Sequence, residues 1–147
     1  MQINCKINHK EYQLDVDPTS RVLDVLRDIG ITSVKEGCGE GECGACSVFL
    51  DGKLINSCLL IALQLQDAEI LTLDALSDET ELIRENFVKS GAVQCGFCTG
   101  GFVLRAYDYI KNDGSKDETA IKNALDGNLC RCTGYQKIVE AVKESIS

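Results

Sequence analysis

The sequence predicts an α+β fold: a small sheet with one helix packed across it in residues 1–76, then four helices forming a bundle in residues 77–147. Three observations predict it. Apolar residues near the N-terminus recur with a period of two. Two short polar turns sit between such runs, one of them the hairpin-favouring pair Asp51-Gly52. Beyond about residue 76 the apolar period lengthens to that of a helix.

The elements follow in order. Ile3, Cys5 and Ile7 alternate with polar neighbours, and Tyr12, Leu14 and Val16 repeat the pattern after Asn8 to Lys10, giving a hairpin. Cys5 falls on its apolar face and reads as a core thiol. Pro18-Thr19-Ser20 offers helix-start chemistry, with Val22, Val25, Leu26 and Ile29 at helical spacing and Gly30 as the stop. A second hairpin pairs Ser47–Leu50 with Lys53–Cys58, and Ile70–Leu73 reads as a further strand. Ser77 or Asp78 is expected to cap a helix through Lys89. Helices follow over Thr99–Lys111, Asp117–Leu125 and Tyr135–Ile146, and their short connections favour a compact bundle.

At 147 residues, 44% hydrophobic, the chain can bury a core without cross-links, and a disordered chain is excluded. The longest apolar run, Cys58 to Leu63, is far short of the roughly 20 residues a bilayer requires. A net charge of −8 argues against a nucleic-acid surface. The N-terminus shows no apolar export core, so a reducing, cytoplasmic setting is expected. In that setting nine cysteines with a single histidine point to metal ligation rather than disulfides.

Eight of the nine fall into two sets. Cys38-x4-Cys43-x2-Cys46, with Cys58 eleven residues on, has the spacing of plant-type 2Fe–2S ligation. Gly37, Gly39, Gly41 and Gly44 let the backbone wrap closely there and aim N–H groups at sulfur. A four-cysteine zinc site competes, although zinc sites usually pair short knuckles. Cys95-x2-Cys98 and Cys130-x-Cys132 form the second set, each pair just before a helix start. A redox-active pair at Cys95 and Cys98 is the rival there, without the βαβ context it normally has. Two 2Fe–2S centres would use eight cysteines, leave Cys5 over, and bring the net charge to about −12.

Three segments carry a resemblance: Glu36-Gly37-Cys38-Gly39-Glu40-Gly41-Glu42-Cys43-Gly44-Ala45-Cys46, Gln94-Cys95-Gly96-Phe97-Cys98-Thr99, and Gly127-Asn128-Leu129-Cys130-Arg131-Cys132-Thr133-Gly134-Tyr135. In this order they resemble the iron–sulfur subunits of the molybdenum hydroxylases, the xanthine dehydrogenase and aldehyde oxidoreductase family. The resemblance implies an N-terminal β-grasp, ferredoxin-like domain and a C-terminal four-helix 2Fe–2S-binding domain. It departs at Gly100, where the family usually has proline.

By this resemblance, Cys95, Cys98, Cys130 and Cys132 hold a proximal cluster beside the molybdopterin of a large partner subunit. Cys38, Cys43, Cys46 and Cys58 hold a distal cluster nearer the FAD of a medium subunit. Cys132 and Gln94 are expected at the pterin, Gln94 being otherwise an ordinary cap residue. Arg131 either places positive charge near the proximal cluster or makes a surface ion pair. The implied role is a relay of single electrons from molybdopterin to FAD, with no substrate site on this chain. A free-standing ferredoxin-like shuttle or redox sensor is the alternative. A purine or related N-heterocycle is the favoured substrate class of the whole enzyme. His9 is expected in solvent, and Tyr107 and Tyr109 in packing roles.

Overall fold

A computed structural model describes residues 1–147. Five strands form one mixed sheet: β1 (Gln2–Ile7), β2 (Lys10–Asp15), β3 (Ser47–Leu50), β4 (Lys53–Asn56) and β5 (Glu69–Leu71), in the order β2-β1-β5-β3-β4. Only β1 and β5 run parallel; the other pairs are antiparallel. Both tight turns use left-handed residues, Asn8 and His9 in one and Asp51 and Gly52 in the other. That geometry matches the twist of the strands it joins. Ile3, Cys5 and Ile7 are all buried, and helix α1 (Val22–Asp28) covers them with Val22, Leu23, Val25 and Leu26.

Four helices make the second half: α2 (Glu81–Lys89), α3 (Thr99–Lys111), α4 (Glu118–Ala124) and α5 (Gln136–Glu144). They enclose a second core around Phe87, Phe102, Val103, Ile121, Ile138 and Val142. The halves are joined by packing. Phe49 of β3, Leu76 and Leu104 of α3 form a small shared core, with Tyr107 edge-on to Phe49 at 5.9 Å. Hence β3 is buried on both faces, and its sequence shows no alternation.

Several boundaries differ from the sequence expectation for local reasons. Asp17 accepts from the backbone N–H and hydroxyl of Thr19, so Pro18–Ser20 is a turn and α1 starts at Val22. Strand β4 stops at Asn56, because Ser57–Leu59 turns as a short 3-10 helix and buries Cys58 in the core. Ser57 anchors that turn, donating from both its N–H and its hydroxyl to the carbonyl of Cys46. Strand β5 runs Glu69–Leu71, since Leu73 already belongs to a 3-10 turn over Leu73–Leu76. Helix α2 begins at Glu81 rather than after Ser77 or Asp78. Thr80, fully buried, donates its hydroxyl back to Leu76 O at 2.7 Å instead of capping forward.

Two adjacent glycines at the start of α3 carry opposite expectations. A Cβ on Gly100 would meet Leu73 Cδ2 at 3.5 Å and Ser33 O at 3.8 Å, ordinary contacts. A Cβ on Gly101 would run into the carbonyl of Gly44. Gly100→Ala should therefore stabilise the chain by roughly 0.5–1 kcal/mol by restricting the unfolded backbone. Gly101→Ala should destabilise it by roughly 1–3 kcal/mol through overpacking. Urea-unfolding midpoints of the two variants check the signs, and equal signs would contradict the contact described.

Candidate functional site

The first cysteine set lies in the loop between α1 and β3 and on the turn after β4. Cys38 is exposed, Cys43 partly so, and Cys46 and Cys58 are buried. The loop wraps around Cys38: backbone N–H groups of Glu40, Glu42 and Cys43 donate to its Sγ at 3.4, 3.3 and 3.4 Å. Cys38 N–H in turn donates to Cys43 Sγ at 3.4 Å. The Glu40 N–H, reinforced by the other two, lowers the Cys38 thiol to about 7. Such a cage favours an anionic sulfur, the form that binds metal. Burial, then the neighbouring Cys46, push Cys58 up to about 11. The loop is fastened from outside by Arg21, which donates to both carboxylate oxygens of Asp24 at 2.8 Å and to Glu36 at 2.9 Å.

The second set gathers at the start of α3 and in the loop from α4 to α5. Cys98 is the residue that opens α3, so its sulfur sits at a helix start, as expected. Cys95 Sγ lies 3.6 Å from Cys132 Sγ. Cys130 Sγ accepts from the Thr133 hydroxyl at 3.2 Å and from Cys132 N–H at 3.4 Å. Although burial opposes ionisation of Cys130, these donors hold its thiol below the ordinary value. The N–H of Phe97 and the Cys132 thiol lower Cys95, while Cys95 raises Cys132. Burial, then Cys130, push Cys98 up to about 12.

Within each set the thiols bear on one another: Cys38 N–H reaches Cys43 Sγ, Cys46 raises Cys58, Cys95 Sγ touches Cys132 Sγ, and Cys130 raises Cys98. No three of them converge on a point where one ion could sit. A mononuclear zinc needs four donors around a single centre. A two-iron centre needs two thiolates on each iron, and each set supplies four thiols. A cavity of about 640 Å³ connects the sets, lined by Cys38 and Cys43 from the first and by Cys95, Cys98, Cys130 and Cys132 from the second.

The remaining candidates fall as follows. Gln94 is exposed just before Cys95 and caps no helix, since Cys98 occupies the cap position of α3. Arg131 lines the cavity between Cys130 and Cys132, and none of the ion pairs in the chain involves it. Cys5 is buried in the sheet core, which Cys46 and Cys58 of the first set also join. His9 is exposed, 3.4 Å from Glu69. Tyr107 packs on Phe49, and Tyr109 donates to Ser115 O. Sequence reasoning assigned no role to Thr133, Tyr135 or Arg21. Tyr135 accepts from the N–H of Cys130 at 3.0 Å, and only its place in the third cysteine segment could have marked it.

Comparison with known proteins follows the same division. Residues 5–82 match the family described as 2Fe-2S iron-sulfur cluster binding domain, and residues 72–143 match the 2Fe-2S binding domain family. The chain is 42% identical over 147 residues to the nicotinate dehydrogenase small FeS subunit of Eubacterium barkeri, covering 98% of this chain and 94% of that one. It is 44% identical over 144 residues to the xanthine dehydrogenase iron-sulfur-binding subunit of Escherichia coli O157:H7, covering 95% and 91%. A chain of quinoline 2-oxidoreductase from Pseudomonas putida 86 superimposes with a TM-score of 0.91 at 34% identity, over 99% of this chain and 93% of that one.

The thiol environments give an ordered reactivity in the metal-free chain. Cys38 ionises near 7, below the ordinary 9.0, so it is a thiolate at pH 8 and loses that form as pH falls through 7. Iodoacetamide at pH 8 should label Cys38 well before Cys58 and Cys98, whose thiols stay protonated. Mass spectrometry of timed samples checks the order. Faster labelling of Cys58 than of Cys38 would contradict the N–H cage.

Proposed function

Since the chain belongs to the 2Fe–2S iron–sulfur subunits of the xanthine dehydrogenase family, we propose that its two cysteine sets each hold one cluster. We assign Cys95, Cys98, Cys130 and Cys132 to the proximal cluster and Cys38, Cys43, Cys46 and Cys58 to the distal one. The chain is the electron-transfer subunit of a multi-subunit molybdenum hydroxylase, whose molybdopterin and FAD sit on partner subunits. The observation that carries this reading is the gathering of eight free thiols into two sets of four, six of them lining one cavity. When bound, the clusters supply one-electron steps between a two-electron oxidation at molybdenum and a flavin.

The protein's part is to hold and tune. The N–H groups around Cys38 and the hydroxyl of Thr133 on Cys130 stabilise anionic sulfur. Burial of Cys46 and Cys58 keeps water from one side of the distal site. Arg131 sets positive charge beside the proximal site, favouring its reduced form. Phe97, Leu129 and Tyr135 are 47%, 51% and 40% exposed around Cys95 and Cys132. We assign this apolar rim to the molybdopterin-binding large subunit, with Gln94 and Cys132 directed to the pterin. Leu59, Ile61 and Leu63, exposed beside Cys58, are assigned to the FAD-binding medium subunit. Two exposed apolar rims suit a lasting complex better than a free shuttle.

The finer architecture belongs to the same reading. Residues 1–76 form a β-grasp ferredoxin-type domain and 77–147 a four-helix cluster-binding bundle, working in the cytoplasm. The names of the relatives, nicotinate, xanthine and quinoline enzymes among them, support an N-heteroaromatic substrate for the whole enzyme.

Ligand substitution tests the assignment. In the anaerobically purified, reduced chain, Cys43→Ser should remove one of two paramagnetic signals and leave the other. Loss of both, or of neither, would contradict independent sites. Cys5→Ala should keep full iron content, and a fall to half would move Cys5 into a ligand set.

A further inference from the structure

The two cysteine loops meet at a seam built almost wholly from backbone. The N–H of Leu129, next to Cys130, donates to the carbonyl of Cys43 at 2.9 Å. Beside it, Asn128 Nδ2 donates to the carbonyl of Gly44 at 3.5 Å. Gly44 has φ +75°, and a Cβ there would strike the Asn128 amide and come within 2.8 Å of Gly127 O. From the third side, a Cβ on Gly101 would strike the carbonyl of Gly44. The loop of the first set, the start of α3 just past Cys98, and the approach to Cys130 therefore touch with no side chain between them except Asn128.

Asn128 is 3% exposed. Its Oδ1 is buried without a protein partner, as is Nε of Arg105, one turn further along α3. A residue needed only to fill the space would serve better as an apolar side chain, because an unpaired buried polar atom is costly. What the amide adds, and an apolar group cannot, is a donor directed at the Gly44 carbonyl.

We propose that Asn128 is a positioning residue that latches the Cys38–Cys46 loop onto the Cys130 loop and the start of α3, and so sets the separation of the two cluster sites. This rests on the two-cluster reading above. Cys43 and Cys130 belong to different sites, and the seam joins their backbones directly. A slip at the seam changes how the sites sit relative to each other while leaving all eight thiols in place.

The test uses the full chain, loaded with iron and fully reduced, read by low-temperature electron paramagnetic resonance. Two nearby paramagnets split each other's signals, and the splitting depends steeply on their separation. Asn128→Ala should keep full iron content, change the splitting, and speed hydrogen exchange at the Leu129 amide. Asn128→Asp, the same shape without the donor, should behave likewise. Gly101→Ala, which wedges the seam from α3, should also weaken the splitting. Unchanged splitting with full iron in Asn128→Ala overturns the proposal, whatever Gly101→Ala shows. Iron loss in both overturns it too, because the seam would then serve loop folding rather than spacing. Should only Asn128→Ala lose iron, Gly101→Ala decides by the same criterion. A wild-type chain with no iron, or with a single signal, defeats the two-cluster reading instead.

Discussion

The constraint on which this structure depends is the confinement of sulfur charge. Thiolates brought within a few ångströms repel one another, and the chain already carries a net charge of −8. The pairing of the thiols makes that repulsion visible. In each set one partner is eased toward ionisation by backbone or hydroxyl donors, as at Cys38 and Cys130. Others, such as Cys58 and Cys98, are held protonated by burial and by the neighbouring sulfur. Thiols held protonated in this way give up their protons when metal supplies the compensating charge.

The fold serves that confinement by fastening each loop to something rigid. The sheet and α1 hold the first set: Ser57 ties the Cys58 turn to Cys46, and Arg21 ties the outer loop to α1 through Asp24 and Glu36. The start of α3 and the Thr133–Tyr135 turn hold the second set. Phe49, Leu76 and Leu104 then weld the halves into one body, and the glycine contacts at Gly44 and Gly101 let the two loops approach to backbone distance. Rigid support of this kind matters for electron transfer, because a loosely held site must reorganise with each change of charge.

Much of this was legible in the sequence. The alternation of Ile3, Cys5 and Ile7 gave β1, the Asp51-Gly52 pair marked the turn from β3 to β4, and the spacing from Thr99 to Lys111 matched α3 end to end. The cysteine spacings marked both sets. What stayed hidden depended on contacts distant in sequence. Ser77 and Asp78 look like helix caps in the sequence, and nothing there shows that the Thr80 hydroxyl bonds back to Leu76 and delays the helix to Glu81. The double burial of β3 reflects α3, more than fifty residues away in sequence. Asn128 sits in a cysteine segment like its neighbours, and only packing against Gly44 singles it out.

The most direct test of the central claim is a joint count of iron and acid-labile sulfide in the chain purified without oxygen, alongside its visible spectrum. Two two-iron centres predict about four of each per chain and a red-brown colour. A colourless chain holding zinc, or one with cysteines joined as disulfides and no inorganic sulfide, would contradict it.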